Sequence, residues 1–248
     1  RLDRQGQPRL VPLFARAFPG VPVTAHAGSS LAGRTTRSAP DAAGHEAWAP
    51  MGALLPLLRP TADRFSPRAF LSPDPDQLAY WRDWLSSLGP GRKVGVMWRS
   101  RLMGGLRNRR FAPFEAWAPV LRTPGAAFVN LQYGDPEPEL AQAAARGLKI
   151  HRPPGLDLMQ DLESVTALAC ALDMVISPMT ASSNLAAACG VETWILASNP
   201  PWPMLGTDGN PWYPNVRAFA PKGQDLWGPR LEAVARALAE RLEQASAA

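Results

Sequence analysis

Lysine is nearly missing from this chain. Only Lys93, Lys149 and Lys222 are lysine among the 26 basic residues; the rest are arginine. The net charge of +5 is thus a by-product of an Arg-, Ala- and Pro-rich composition. By itself it does not argue for a nucleic-acid or membrane-surface partner. Histidine is equally sparse: His26, His45 and His151 are scattered, which excludes a histidine-built metal cluster. The two cysteines, Cys170 and Cys189, exclude a disulfide framework and a thiolate zinc site. Both fall in Ala-rich helical patterns, where core thiols in a reducing, cytoplasmic compartment are expected. No apolar run approaches the ~20 residues a membrane-spanning helix needs. No GxGxxG follows the first long strand, which argues against a dinucleotide redox site. There is no P-loop, nucleophile elbow or HExxH. No cofactor and no metal are expected.

What is present is ordinary globular material, with 46% hydrophobic and 19% charged residues. At 248 residues the chain allows one large domain or two small ones. It opens on Arg1 without a methionine or an apolar leader, and is expected to be a piece of a longer protein. Residues 7–18 have helical spacing, and 21–24 read as a short strand. Residues 27–44, rich in Gly, Ser, Thr and Pro, read as a loop. Residues 48–58 form a short apolar turn or helix. A clearer helix covers 73–88, with Asp74 and Asp76 near its start.

From Arg92 onward strands alternate with helices. Apolar runs at 93–98, 126–131, 148–151, 173–177, 191–197 and 216–219 read as strands buried on both faces. Helical patterns at 113–121, 136–146, 161–172, 181–189 and 229–242 separate or follow them. Asp161 is the expected cap of the fourth-strand approach helix. The pattern predicts an α/β chain with a Rossmann-like, doubly wound parallel sheet. The expected division is a partial N-terminal α/β lobe and linker (1–91), a Rossmann-like lobe (92–228) and a C-terminal helix (229–248).

In such sheets ligands bind beyond the carboxyl ends of the strands, at the point where strand order reverses. The loop after the first strand, residues 98–110, carries Arg99, Arg101, Arg107, Arg109 and Arg110, and no acid occurs between Lys93 and Glu115. Guanidinium forks fit phosphate and carboxylate, so the loop reads as an anion site as well as a solvated basic loop. Gln132, Tyr133 and Gly134 follow the second strand. Gly134 permits close backbone approach. Thr180, Ser182, Ser183 and Asn184 crowd the start of the helix after the fourth strand, where free N–H groups suit an anion. Simple capping is the competing explanation. The loop 198–215, with Trp202, Trp212 and Tyr213, can wall a base or sugar or merely cover the sheet end. Acid–base candidates are few. Asp41, His45 and Glu46 lie near the presumed cleft, and His45 is the candidate general base.

The segments KVGVMWRS, FVNLQYGD, LESVTALACALDMVIS, TASSNLAAACGVETWIL and PWYPNVRAF, in that order, resemble the C-terminal half of GT-B glycosyltransferases. They look most like the glycosyltransferase-like region of bacterial tetratricopeptide-repeat proteins of the flagellin-modification branch. That group is distantly similar to ADP-heptose:LPS heptosyltransferases and O-linked GlcNAc transferases. The resemblance implies metal-independent sugar transfer from a nucleotide-activated donor to a protein acceptor such as flagellin, with 92–228 as the nucleotide-sugar-binding lobe and the 229–248 helix packing back on the N-terminal lobe. By position, Trp98, Arg99, Ser100, Arg101, Arg107, Gln132, Tyr133, Gly134, Thr180, Ala181, Ser182, Ser183 and Asn184 line the donor site, and Arg99 and Arg101 stabilise the leaving phosphate. Relatives often read DTSVAHLAGA where this chain reads MTASSNLAAA, so Met179 and Asn184 stand at the Asp and His positions. That change, with the many arginines, suits a CMP-nonulosonic acid donor, which carries one phosphate and a sugar carboxylate. The alternative is a catalytically degenerate GT-B-fold module that binds a partner as a scaffold. A nucleic-acid role through the basic loop has no supporting motif.

Overall fold

The computed structural model describes residues 4–26, 28–31, 34–37, 46–65, 68–101, 103–220 and 227–246. The chain starts with a small βαβ unit. Parallel neighbours β1 (Arg4–Gly6) and β2 (Val23–Ala25) are joined through α1 (Val11–Ala17). Pro12 occupies the first turn of α1, where a missing N–H has no helical partner to lose. Leu13 of α1 is fully buried against Leu71, Leu162, Leu185 and Ala188. Arg16 pins the same helix, donating to Ser72 O at 2.9 Å and pairing with Glu163. Residues 27–44, expected to be a loop, instead include an antiparallel pair, β3 (Gly28–Leu31) and β4 (Arg34–Arg37). The β-branched Thr35 and Thr36 supply the extended propensity that the Gly and Pro count concealed. A 3-10 turn then leads into α2 (Leu55–Leu58), and α3 (Pro75–Ser87) follows. Asp74 caps α3, its Oδ1 accepting from the Gln77 N–H at 3.0 Å.

The remaining elements alternate: β5 (Arg92–Val96), α4 (Ala118–Leu121), β6 (Ala126–Asn130), α5 (Glu137–Ala145), β7 (Ile150–His151), α6 (Leu162–Ala171), β8 (Met174–Pro178), α7 (Ala181–Ala188), β9 (Glu192–Leu196), β10 (Val216–Phe219) and α8 (Trp227–Ser246). The six strands form one parallel sheet in the order β10-β9-β8-β5-β6-β7. The chain winds outward from β5 to β7, returns to β8 on the other side of β5, and winds outward again. The reversal lies between β5 and β8, as a doubly wound sheet requires.

Side chains alternate across this sheet with the period of two that an extended strand imposes. Val94, Val96, Trp98, Phe128, Met174, Ile176, Trp194 and Leu196 face one layer, with α4, α5 and α8. Met97, Val129, Leu131 and Val175 face the other, with α3, α6 and α7. Gly95 falls on this second side. A Cβ there would lie 2.6 Å from the terminal methyls of Leu131 and Leu172, so glycine lets the helix layer close onto the sheet.

α8 lies along α4, where its stripe of Leu231, Val234, Leu238 and Leu242 completes the core on that face. One expectation changes. Cys170 and Cys189, expected in the core, are half-buried. They occupy the last turn of α6 and the C-cap of α7, where the helix ends meet the surface.

Candidate functional site

The carboxyl ends of β5, β6 and β8 meet at the reversal. Met97 N–H donates to Ile176 O at 3.1 Å and Leu131 N–H donates to Val96 O at 2.9 Å, so the sheet pairing continues past the ends of β5 and β6 into the loops. The start of the loop, Trp98 and Arg99, is then held by the side chain of Gln132, which is 1% exposed. Its Oε1 accepts from Trp98 N–H (3.1 Å) and Arg99 N–H (2.9 Å), and its Nε2 donates to Arg99 O (3.0 Å) and Tyr133 O (2.9 Å). All four hydrogen-bonding positions of the amide are used within the protein. Gln132, expected to line the donor site, clamps the start of the arginine-bearing loop. Asn130 Oδ1 accepts from the Gln132 N–H at 3.0 Å and steadies the clamp in turn.

The arginines are not equivalent. Arg99 forms a two-pronged ion pair with Glu139 on α5, through Nε to Oε1 and through Nη2 to Oε2 at 3.1 Å, and also donates to Asp135 O at 2.6 Å. Its charge is thus largely answered from within. Burial pushes the Glu139 carboxyl up, but hydrogen bonding and charge from Arg99 more than offset this and hold it below the ordinary carboxylate range. Arg101 is exposed and has no ion-pair partner among the described residues. Its stem lies over Gly134, where a Cβ would sit 3.4 Å from Arg101 Cγ. Gly134 has φ +88°, the left-handed region that glycine favours. Arg109 and Arg110 are exposed on the 3-10 turn Gly105–Arg110; the side chain of Arg107 lies outside the described residues. Ser100 is buried at the base of the loop.

The Glu139–Arg99 pair has a pH signature. The folded carboxyl titrates below its ordinary value, so the pair stabilises the fold fully above pH of about 4.3 and loses that contribution as pH falls through the lower folded value. Glu139→Gln is expected to cost about 1.5–3 kcal/mol at neutral pH, and the gap to wild type should narrow on acidification. Urea unfolding at stepped pH checks this; a gap constant down to pH about 3 would refute it.

The other expected site residues divide between structural and accessible. Trp98, expected to line the crevice, has its ring in the core, 1% exposed and 4.8 Å from the Phe114 ring. Tyr133 is half-buried and packs partly on the second core layer. Thr180 and Ser183 form a reciprocal capping box at the start of α7. Ser183 Oγ is also bonded to Pro178 O at 3.1 Å, and Asn184 Nδ2 donates to Thr180 O at 2.7 Å. Most of this polar crowd is therefore accounted for by capping. Ser182 is buried, whereas Ala181 and Asn184 are exposed. Met179, before α7, is 40% exposed. His45 and Asp41 lie outside the described residues, Glu46 is exposed, and Asp161 caps α6 by accepting from Ser164 N–H at 2.9 Å. Glu139 and Asn130 were not anticipated as site residues. The only signal for Glu139 was an acid in the first turn of the helix after the second strand.

The loop between β9 and β10 closes this end. Trp212 stands edge-on to Phe65 (4.7 Å between ring centroids) and to the exposed Trp202 (6.3 Å). A small cavity of about 20 Å³ lies beneath it, bounded by Met179, Asn184, Met204 and Tyr213. A broader open groove of about 1030 Å³ lies at the opposite, amino ends of β5 and β6, among Arg82, Arg92, Lys93 and Asp173. Asp173 there holds the Arg92 guanidinium (2.7 Å) and the Lys93 N–H (2.6 Å), so its charge is engaged in tying β5 to β8. The reversal of strand order, and Arg101 with no ion-pair partner among the described residues, favour the carboxyl end as the site.

A six-stranded parallel sheet with this order, helices on both faces and a basic loop at the reversal is the Rossmann-like lobe of the GT-B glycosyltransferase fold. Escherichia coli ADP-heptose LPS heptosyltransferase II superposes with a TM-score of 0.51 at 14% identity, covering 75% of this chain and 59% of that one. In sequence, the chain is 47% identical over 235 residues to Protein FlbA of Caulobacter vibrioides, covering 93% of this chain and 39% of that protein. It thus spans about two fifths of that relative's length. No family model matches the chain. No helix among the described residues is long and apolar enough to cross a membrane.

Proposed function

We propose that this chain is the donor-binding part of a metal-independent, cytoplasmic glycosyltransferase that moves a sugar from a nucleotide-activated donor to a protein acceptor. The observation that carries this is the clamped loop at the strand reversal, which presents Arg101 without an ion-pair partner among the described residues. An uncompensated guanidinium beside a flat glycine surface at Gly134 is suited to a phosphate or a sugar carboxylate. Arg101 is then the residue that stabilises the leaving phosphate, with Arg107, Arg109 and Arg110 adding to the field. Arg99 acts mainly by holding α5 against the loop. A CMP-nonulosonic acid is the proposed donor and flagellin the proposed acceptor. Support for this donor comes from the apolar Met179 in place of an acid, and from a polar cluster at α7 already occupied by capping.

A second reading has its own support. Arg99 is neutralised, Gln132 is saturated and the cavity at this end is small, as in a module kept for binding a partner rather than for transfer. Calorimetric titration with CMP, UDP, GDP and ADP separates the two. Saturable binding of CMP, weakened at least tenfold by Arg101→Ala with the unfolding midpoint unchanged, is the expected outcome. Preference for UDP or ADP would overturn the CMP assignment. Binding of none by the folded chain would favour the scaffold.

A further inference from the structure

Trp202 stands out in water on a turn that is held stiff. Its side chain is 65% exposed, on the 3-10 turn Trp202–Met204, between Pro201 and the buried Pro203. Proline fixes φ on both flanks. Beyond the turn, the Thr207 hydroxyl reaches Met204 O at 2.7 Å and Gly209 O at 2.9 Å. Asn210 Oδ1 accepts from the N–H groups of Trp212 at 2.9 Å and Tyr213 at 3.2 Å. Leu205, between them, has φ +51°, a left-handed conformation that residues other than glycine seldom adopt. A single exposed aromatic is ordinary on a protein surface. One presented by a rigid, strained turn and backed edge-on by Trp212 is better explained by a ligand.

The turn follows β9 at the carboxyl end of the sheet. Pro201 and Pro203 bound the same small cavity as Met179 and Asn184, so the turn lies beside the start of α7. One strand, β8, separates β9 from β5, the strand that leads into Arg101. The loops carrying Trp202 and Arg101 therefore leave the sheet two strand spacings, about 10 Å, apart. A ribose bridges that kind of interval between a phosphate and its base. The two side chains also offer different chemistry. The Arg101 guanidinium suits an anion, whereas the indole is uncharged and presents a flat π face. Of the parts of a nucleotide-activated donor, only the base is flat and uncharged.

Resting on the donor-binding reading above, we infer that Trp202 is the stacking platform for the donor's nucleobase, with Arg101 holding the phosphate of the same molecule. The pyrimidine ring of CMP lies against the open indole, and Trp212 supports that indole from the protein side. Stacking of this kind tolerates every base, because each has a π face. Trp202 thus adds affinity, and the choice among nucleotides falls to other groups. The stiff turn orients the indole in advance, so little freedom is lost on binding.

Calorimetric titration of the folded full chain with CMP, and with ribose 5-phosphate, which keeps the phosphate but lacks the base, tests this. Trp202→Ala should weaken CMP binding about tenfold and leave ribose 5-phosphate binding and the unfolding midpoint unchanged. Trp202→Phe should recover most of the CMP affinity, and Trp202→Leu, apolar but not aromatic, should not. Arg101→Ala should weaken both ligands. If ribose 5-phosphate binds too weakly to titrate, the comparison of Trp202→Phe with Trp202→Leu decides alone, and equal losses in the two would overturn the platform. CMP affinity that survives Trp202→Ala but falls in Arg101→Ala would also overturn it, while leaving the donor site standing. So would a Trp202→Ala variant that weakens both ligands equally, since the side chain would then act on the loop as a whole. A wild-type chain that binds none of CMP, UDP, GDP and ADP would overturn the donor-binding reading and the platform with it.

Discussion

Gln132→Ala is expected to lower the stability of this protein by about 2–4 kcal/mol and, on the proposed function, to abolish CMP binding. The amide satisfies two N–H groups and two carbonyls of the loop that leaves β5 and of its own neighbour. Each buried backbone group left without a partner costs about 1–3 kcal/mol, less where water can enter. The sum is held below four full penalties because the loop can open towards solvent. Gln132→Glu is the informative companion. It keeps the acceptor for Trp98 and Arg99 but offers no donor to the two carbonyls, so its loss should be intermediate. Urea unfolding gives the stabilities, and titration with CMP gives the affinity. An alanine variant with wild-type stability would show that the loop is held by something else.

Trp98→Ala is expected to be at least as damaging, costing about 3–5 kcal/mol. That is a large part of the 5–15 kcal/mol typical of a folded domain. The indole is 1% exposed against Phe114, in the core layer that also holds Trp117 and Trp194. Trp98→Phe keeps the aromatic contact and should lose less than half as much. A crevice-lining tryptophan would behave differently, with affinity falling and the thermal midpoint unchanged. Calorimetric melting of the two variants distinguishes these patterns.

Trp98 also marks where the sequence was legible and where it was not. The strands of the large sheet are apolar runs such as Asp173–Ser177 and Val191–Ala197, and little else fits such runs between helical patterns. Their positions, and the strand reversal that follows, were readable. Trp98 shares parity with Val94 and Val96, so the period of two already assigned it to a core face; its place at the strand end drew it into the site instead. β1 could not be read, because Arg4–Gly6 has no apolar residue to alternate. The clamp was hidden for another reason. Gln132 bonds backbone atoms 33 residues away, and Arg99 meets Glu139 across 40 residues. Backbone partners leave no trace in side-chain identity, and charge spacing along a chain says nothing about charge spacing in the fold. The crowd at Thr180–Asn184 was readable as a helix start, but only geometry showed how much of it capping uses.

The pairing of β5 with β8 also imposes an order in time. Lys93 and Asp173 join strands separated by 80 residues, while β6, the other neighbour of β5, is made much sooner. As the chain emerges during synthesis, β5, β6 and β7 are complete while the inner edge of β5 is still bare. That edge offers unpaired N–H and C=O groups beside Val94 and Val96, the kind of template on which other chains pair. It is closed only once Met174–Pro178 has been made. The strand reversal is therefore also the most non-local seam of the central sheet, joining strands 80 residues apart, and a slow step in reaching the native state.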